Sequence, residues 1–94
     1  RARDAKRFME KLARVTEDGV HFRSYLDGSR HFFTPESVMD MQSALGADII
    51  MAFDECAPGG SPHAYARAAM ERTHRWALRS RDQWQKNEAI RAEK

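Results

Sequence analysis

The sequence predicts an α/β fold whose elements run helix, β-hairpin, helix, buried strand, long helix. Three observations predict it. Asp27-Gly28 joins two runs of alternating residues, the signature of a hairpin turn. Ile49 to Phe53 form an unbroken apolar run between Asp48 and Asp54, as in a strand covered on both faces by helices. The pairs Thr34-Pro35 and Ser61-Pro62 each precede a helical pattern, as a hydroxyl cap followed by Pro at the first helical position. A chain of 94 residues is one small domain or part of a larger one. It is too short for a complete (β/α)₈ barrel, which needs roughly 200–250 residues.

Taken in order, residues 4–15 place Ala5, Phe8, Met9, Leu12 and Val15 at helical spacing, an amphipathic helix that Thr16-Glu17-Asp18-Gly19 ends. Val20, Phe22, Ser24 and Leu26 then share one face of a strand, with His21, Arg23 and Tyr25 on the other. A two-residue type I′ turn at Asp27-Gly28 would set Leu26 opposite Ser29, Tyr25 opposite Arg30, Ser24 opposite His31 and Phe22 opposite Phe33. The next helix starts at Thr34-Pro35-Glu36, turns Val38, Met41, Gln42 and Leu45 inward, and stops at Gly46. After the buried strand and the loop Ala57-Pro58-Gly59-Gly60, a long helix carries Tyr65, Ala69, Thr73, Trp76, Ser80 and Trp84 down one side. From Asp82 to Lys94 the apolar signal fades into a polar, frayed helix or tail.

Apolar residues make up 41% and aromatics 10%, enough for a small core and too many for simple disorder. No run approaches the roughly 18 apolar residues of a membrane span. The single cysteine, Cys56, excludes an internal disulfide, so an intracellular, cytoplasmic setting is expected. The formal charge of +2 hides a segregation. Residues 1–16 hold six bases against two acids, residues 67–94 eight against four, and residues 17–66 two against eight. Basic ends can contact phosphate. They can equally be solvated helix faces laced by pairs such as Glu71 with Arg75.

Asp54 and Glu55 are the sharpest candidates for chemistry. They follow the most apolar strand, at the carboxyl edge where parallel α/β folds keep their sites. Adjacent strand residues point to opposite faces, so one acid can reach a pocket while the other braces the neighbouring loop. A solvated strand end is the plainer alternative. Cys56 is expected to line a pocket or to be buried, because His21, His31, His63 and His74 offer it neither HxxxH nor CxxC spacing for a metal. Those histidines read as surface residues. Met39, Met41, Met51 and Met70 read as core fillers, and Trp76 and Trp84 as packing residues. No P-loop, GxGxxG or GxSxG occurs.

Residues 15–82 resemble the tRNA-guanine transglycosylases (queuine tRNA-ribosyltransferases). The matching pieces are Thr16-Glu17-Asp18-Gly19-Val20, Phe22-Arg23-Ser24, Leu26-Asp27-Gly28-Ser29, His31-Phe32, Thr34-Pro35-Glu36, the run from Ala44 to Cys56, Met70-Glu71-Arg72-Thr73 with Arg75-Trp76, and Arg79-Ser80-Arg81-Asp82. The resemblance implies a fragment of a (β/α)₈ TIM-type barrel. It implies an enzyme, a pentosyl-transferring transglycosylase of queuosine biosynthesis, that exchanges guanine at the tRNA anticodon wobble position for a queuine-type base through a ribosyl–aspartate intermediate. Within it Asp54 recognises the base, Cys56 lines the same pocket and Glu55 supports it. A carboxylate can accept two hydrogen bonds from the donor edge of guanine.

What the family has and this sequence lacks matters equally. The Asp-Ser-Gly-Gly segment with the acid/base aspartate, the nucleophilic aspartate and the Cys-Cys-Cys-His zinc site have no counterpart in these residues. No catalytic residue, metal ligand or cofactor is therefore assigned here. The expectation is one partial domain: residues 1–14 an unassigned helix, 15–82 transglycosylase-like, 83–94 a polar helical tail. Its partners would be tRNA and a guanine- or queuine-type base, with self-association through open strand edges and no membrane. The alternative is a non-catalytic RNA- or protein-binding module, or a self-associating fragment.

Overall fold

A computed structural model describes residues 12–93. The chain divides into two compact units, one up to Thr34 and one from Pro35. The first holds a three-stranded antiparallel sheet in the order β1 (Ala13–Val15), β2 (Val20–Arg23), β3 (Arg30–Phe33). The second holds α1 (Pro35–Leu45), an extended segment, and α2 (His63–Ala92). Helices and a small antiparallel sheet are thus both present.

The first strand is a correction. Helical spacing ran through Val15, yet Ala13–Val15 pair with β2, Ala13 opposite Phe22 and Val15 opposite Val20. The edge of β2 outweighs a local periodicity that fits either structure, because a strand edge offers ladder partners to any neighbouring chain. The earlier part of that expected helix lies outside the described residues. Gly19 closes the β1–β2 turn, its carbonyl accepting from the Thr16 N–H at 2.8 Å. A Cβ there would collide with the Phe33 carbonyl oxygen.

The hairpin exists in a different register. Val20 pairs with Phe33, His21 with Phe32, Phe22 with His31 and Arg23 with Arg30. The connection is longer than Asp27-Gly28. The Ser24 N–H donates to the Ser29 carbonyl, the Gly28 N–H to the Ser24 carbonyl, and Gly28 sits at φ +73°. Ser24 Oγ accepts from the Leu26 N–H and Asp27 Oδ1 from the Ser29 N–H, 3.2 and 2.9 Å. These short side chains favour a wider loop than Gly alone would select. The slip is two residues, so every side chain keeps its face. Phe22 still meets Phe33, now diagonally, edge to face at 4.9 Å.

Helix α1 begins at Pro35 as expected and gives way to Gly46 at φ +71°. Its covered side differs from the expected one. Pro35 and Met39 are buried, whereas Met41 and Leu45 are exposed. In α2 the expected stripe holds in the middle, where Ala69, Trp76 and Ser80 are buried, and opens at its ends, where Tyr65 and Trp84 are each about two-fifths exposed. Ser61 does not cap this helix. Its hydroxyl donates to the Pro58 carbonyl at 2.6 Å, and Pro62 occupies the cap position. The polar stretch after Arg81 stays helical to Ala92. The helices are tied by Arg79, which donates through Nε and Nη2 to both Glu36 oxygens at 2.8 and 2.6 Å. Gln83 and Asn87 both donate to Asp40 Oδ1 at 2.9 Å.

The expected buried strand is the largest correction. Residues 49–53 form no ladder among the described residues, and Ile49 and Met51 are 80% and 69% exposed. Their apolar character demands cover that this unit supplies only in part, at Ile50 and Phe53.

Candidate functional site

Side chains replace the missing ladder. The amide of Gln42 on α1 accepts from the Met51 N–H through Oε1 and donates from Nε2 to the Met51 carbonyl, 2.8 and 2.9 Å. Two hydroxyls of α2 then take over. Ser80 Oγ accepts from the Phe53 N–H at 3.4 Å and Thr73 Oγ1 from the Glu55 N–H at 3.0 Å. Thr73 also donates to the Glu55 carbonyl at 3.4 Å. Thr73 and Ser80 are seven residues apart, two helical turns, so they stand in line along α2.

Alternation along this extended segment decides which residues are free. Phe53 stacks on fully buried Trp76, ring centroids 5.1 Å apart and planes 10° apart. Glu55 turns to the same helix, its side chain 7% exposed. One oxygen accepts from Arg72 Nη1 at 3.0 Å and the other from the Tyr65 hydroxyl at 3.0 Å. That bond and the neighbouring negative charge push the Tyr65 phenol above its ordinary value of 10, since ionising it would lose the donor and face Glu55. Asp54 and Cys56, one residue to either side of Glu55, are exposed.

The two acids therefore have opposite environments. Glu55 is consumed by Arg72 and Tyr65, as a bracing residue would be. Asp54 keeps its carboxylate in solvent. Cys56 is exposed rather than buried. Neither lines the open groove of about 1100 Å³ beside them, to which Asp48, Ile50, Ala52, Ser80 and Trp84 contribute. Among the methionines expected in a core, only Met39 is buried. His21, His31, His63 and His74 are all exposed.

Gln42, Tyr65, Arg72, Thr73 and Ser80 hold this segment and were not singled out as site residues by sequence. A signal existed for two of them. Thr73 and Ser80 are hydroxyls set among Ala69 and Trp76 on a covered helix face, where a polar atom needs a partner. Among the described residues no three His, Cys, Asp or Glu side chains converge to hold a metal ion. A Cys-Cys-Cys-His zinc site does not fit a chain whose one cysteine is Cys56. No helix among them is long and apolar enough to cross a membrane.

Comparison with known proteins agrees with the resemblance read from the residues. The family model described as queuine tRNA-ribosyltransferase matches residues 4–92. The queuine tRNA-ribosyltransferase of Herpetosiphon aurantiacus is 66% identical over 67 residues, 71% of this chain and 17% of that protein. That of Ruminiclostridium cellulolyticum is 62% identical over 71 residues, 76% of this chain and 19% of its own length. That of Desulforamulus reducens is 65% identical over 68 residues, 72% of this chain and 18% of its own. The chain thus spans less than one fifth of each of these relatives. With a family model matching nearly all of its residues, the chain belongs to the queuine tRNA-ribosyltransferase family.

Proposed function

We propose that this chain is the base-recognition segment of an enzyme that exchanges guanine for a queuine-type base at the tRNA wobble position, acting in the cytoplasm as part of a (β/α)₈ barrel through a ribosyl–aspartate intermediate. Asp54 holds the base by accepting from its amide N–H and exocyclic amine. Cys56 borders the same base, and Glu55 fixes the peptide between them. One observation carries the reading: a solvent-facing Asp54 flanked by two residues, Phe53 and Glu55, whose backbone and side chains are both anchored on α2. A carboxylate so held meets a ligand with little ordering left to do, which favours binding.

The segment supplies recognition and not the bond-breaking groups. It holds no counterpart of the acid/base or nucleophilic aspartates, so by itself it exchanges no base. The bare backbone on the outer side of residues 49–56 also favours pairing with further strands, in another part of the enzyme or in a second copy.

The test uses a full-length relative. Replacing the aspartate that matches Asp54 by Asn should abolish incorporation of labelled guanine into tRNA, because the amide offers a donor where the base already presents one. Replacing the glutamate that matches Glu55 by Gln should impair it less. Normal incorporation by the Asp54-type variant overturns the proposed role, and incorporation by the 94-residue chain alone overturns the division of labour.

A further inference from the structure

We propose that one face of the three-stranded sheet binds RNA, through the phosphates by three arginines and through a base by an exposed aromatic pair. The register places Arg14 opposite His21, Arg23 opposite Arg30 and His21 opposite Phe32. Side chains alternate along a strand, so Arg14, His21, Arg23, Arg30 and Phe32 share one side of the sheet. All five are exposed, whereas Val15, Val20, Phe22 and Phe33 on the other side are partly covered. Arg14, Arg23 and Arg30 also border one shallow depression of about 330 Å³.

Three features separate this face from an ordinary solvated surface. First, Arg23 and Arg30 are direct cross-strand partners, a like-charge arrangement that destabilises a sheet. An anion between them removes that repulsion. Second, none of the three arginines has an ion pair among the described residues, while on α2 Arg67, Arg72, Arg79, Arg81 and Arg91 each lie within 4 Å of a carboxylate. The described acids of this unit lie in its turns, Glu17 and Asp18 before β2 and Asp27 after it, where Ser29 holds Asp27. Third, His21 and Phe32 stack with centroids 4.2 Å apart, and Phe32 is 43% exposed. Guanidinium groups beside an exposed ring are the combination that holds unpaired nucleotides, charge to phosphate and ring to base. An acidic peptide or a lipid headgroup uses the arginines and leaves the ring idle.

The proposal stands on the sheet, and only the choice of tRNA as one probe rests on the base-exchange reading. Fluorescence anisotropy of the 94-residue chain with a tRNA transcript and with a short oligouridylate, titrated with KCl, tests it. Both RNAs should bind. Replacing Arg14, Arg23 and Arg30 together by Gln should weaken binding at least tenfold. It should also flatten the log–log salt slope by about 2, because each phosphate neutralised on a single strand contributes roughly 0.7. The corresponding Lys triple variant should keep the slope. Phe32→Ala should weaken binding about tenfold at unchanged slope. Arg67→Gln, at an exposed arginine of α2 outside this face, should bind as wild type, which ties the loss to the sheet. A thermal melt of the Gln variant should show no loss of stability, since a repulsion has been removed; if it unfolds, the Lys variant decides. RNA binding that ignores the Gln substitutions, loss of binding in the Lys variant, or binding of phosphatidylserine vesicles in place of RNA overturns the proposal.

Discussion

Trp76→Ala is the most severe single perturbation that the unit from Pro35 onward should suffer. Trp76 is completely buried and stacks on Phe53, the residue before Asp54. A buried Trp covers about 150–250 Å², worth roughly 4–6 kcal/mol at ~25 cal/mol per Å². Truncations of this kind cost about 3–5 kcal/mol once partial collapse of the cavity is allowed. A unit of this size has a total stability of roughly 3–9 kcal/mol. Trp76→Ala should therefore bring it close to unfolding in water. Trp84→Ala, at a site 42% exposed, should cost about 2–3 kcal/mol by the same area. Urea unfolding followed by far-ultraviolet circular dichroism distinguishes them, because most of the helical signal comes from α2. Equal midpoints for the two variants would refute the assignment of Trp76 as the centre of this core.

Thr73→Val keeps the shape of the side chain and removes the hydroxyl that serves both polar groups of the Glu55 peptide. It should destabilise by about 1–3 kcal/mol in urea unfolding, with Thr73→Ser close to wild type. Glu36→Gln probes acid sensitivity. Its hydrogen bonds with Arg79 hold the Glu36 carboxyl below its ordinary 4.5, so the stabilisation exists above that value and is lost as pH falls through the depressed one. With both partners about one-third exposed, the difference at neutral pH should be about 0.5–1 kcal/mol, and urea midpoints of variant and wild type should converge below that pH. Gly28→Ala strains a left-handed position with open space around it and should cost about 1 kcal/mol. In thermal melts of the two variants Gly19→Ala should cost more, because its Cβ has the Phe33 backbone in its way.

What sequence revealed depended on whether the deciding partner was local. The limits of α1 were legible because Pro35 and Gly46 act within their own turn. The sheet faces were legible because alternation survives a slip of two residues, while the register was not, since Ser24 and Asp27 compete with Gly28 for the turn. The β1 segment was misread as helix because its strand character comes from β2, not from its own spacing. At the site, the opposed directions of Asp54 and Glu55 followed from strand geometry alone. The partners of Glu55 lie ten to eighteen residues away on another element, and a sequence presents Tyr65, Arg72 and Thr73 without saying that they converge. Residues 49–53 read as fully covered because apolar runs signal a demand for burial, and this unit meets that demand only at Ile50 and Phe53.

The Gln42 amide, matching the Met51 peptide donor for acceptor, makes a helix residue imitate a strand. Together with Ser80 and Thr73 it gives residues 51–55 three fixed points along two rigid rods. The height of Asp54 is then set by the pitch of α2 and by side-chain length rather than by adjoining chain. Evolution or design can accordingly shift that carboxylate by fractions of an ångström through one-carbon exchanges at distant helix positions, leaving the acid itself untouched.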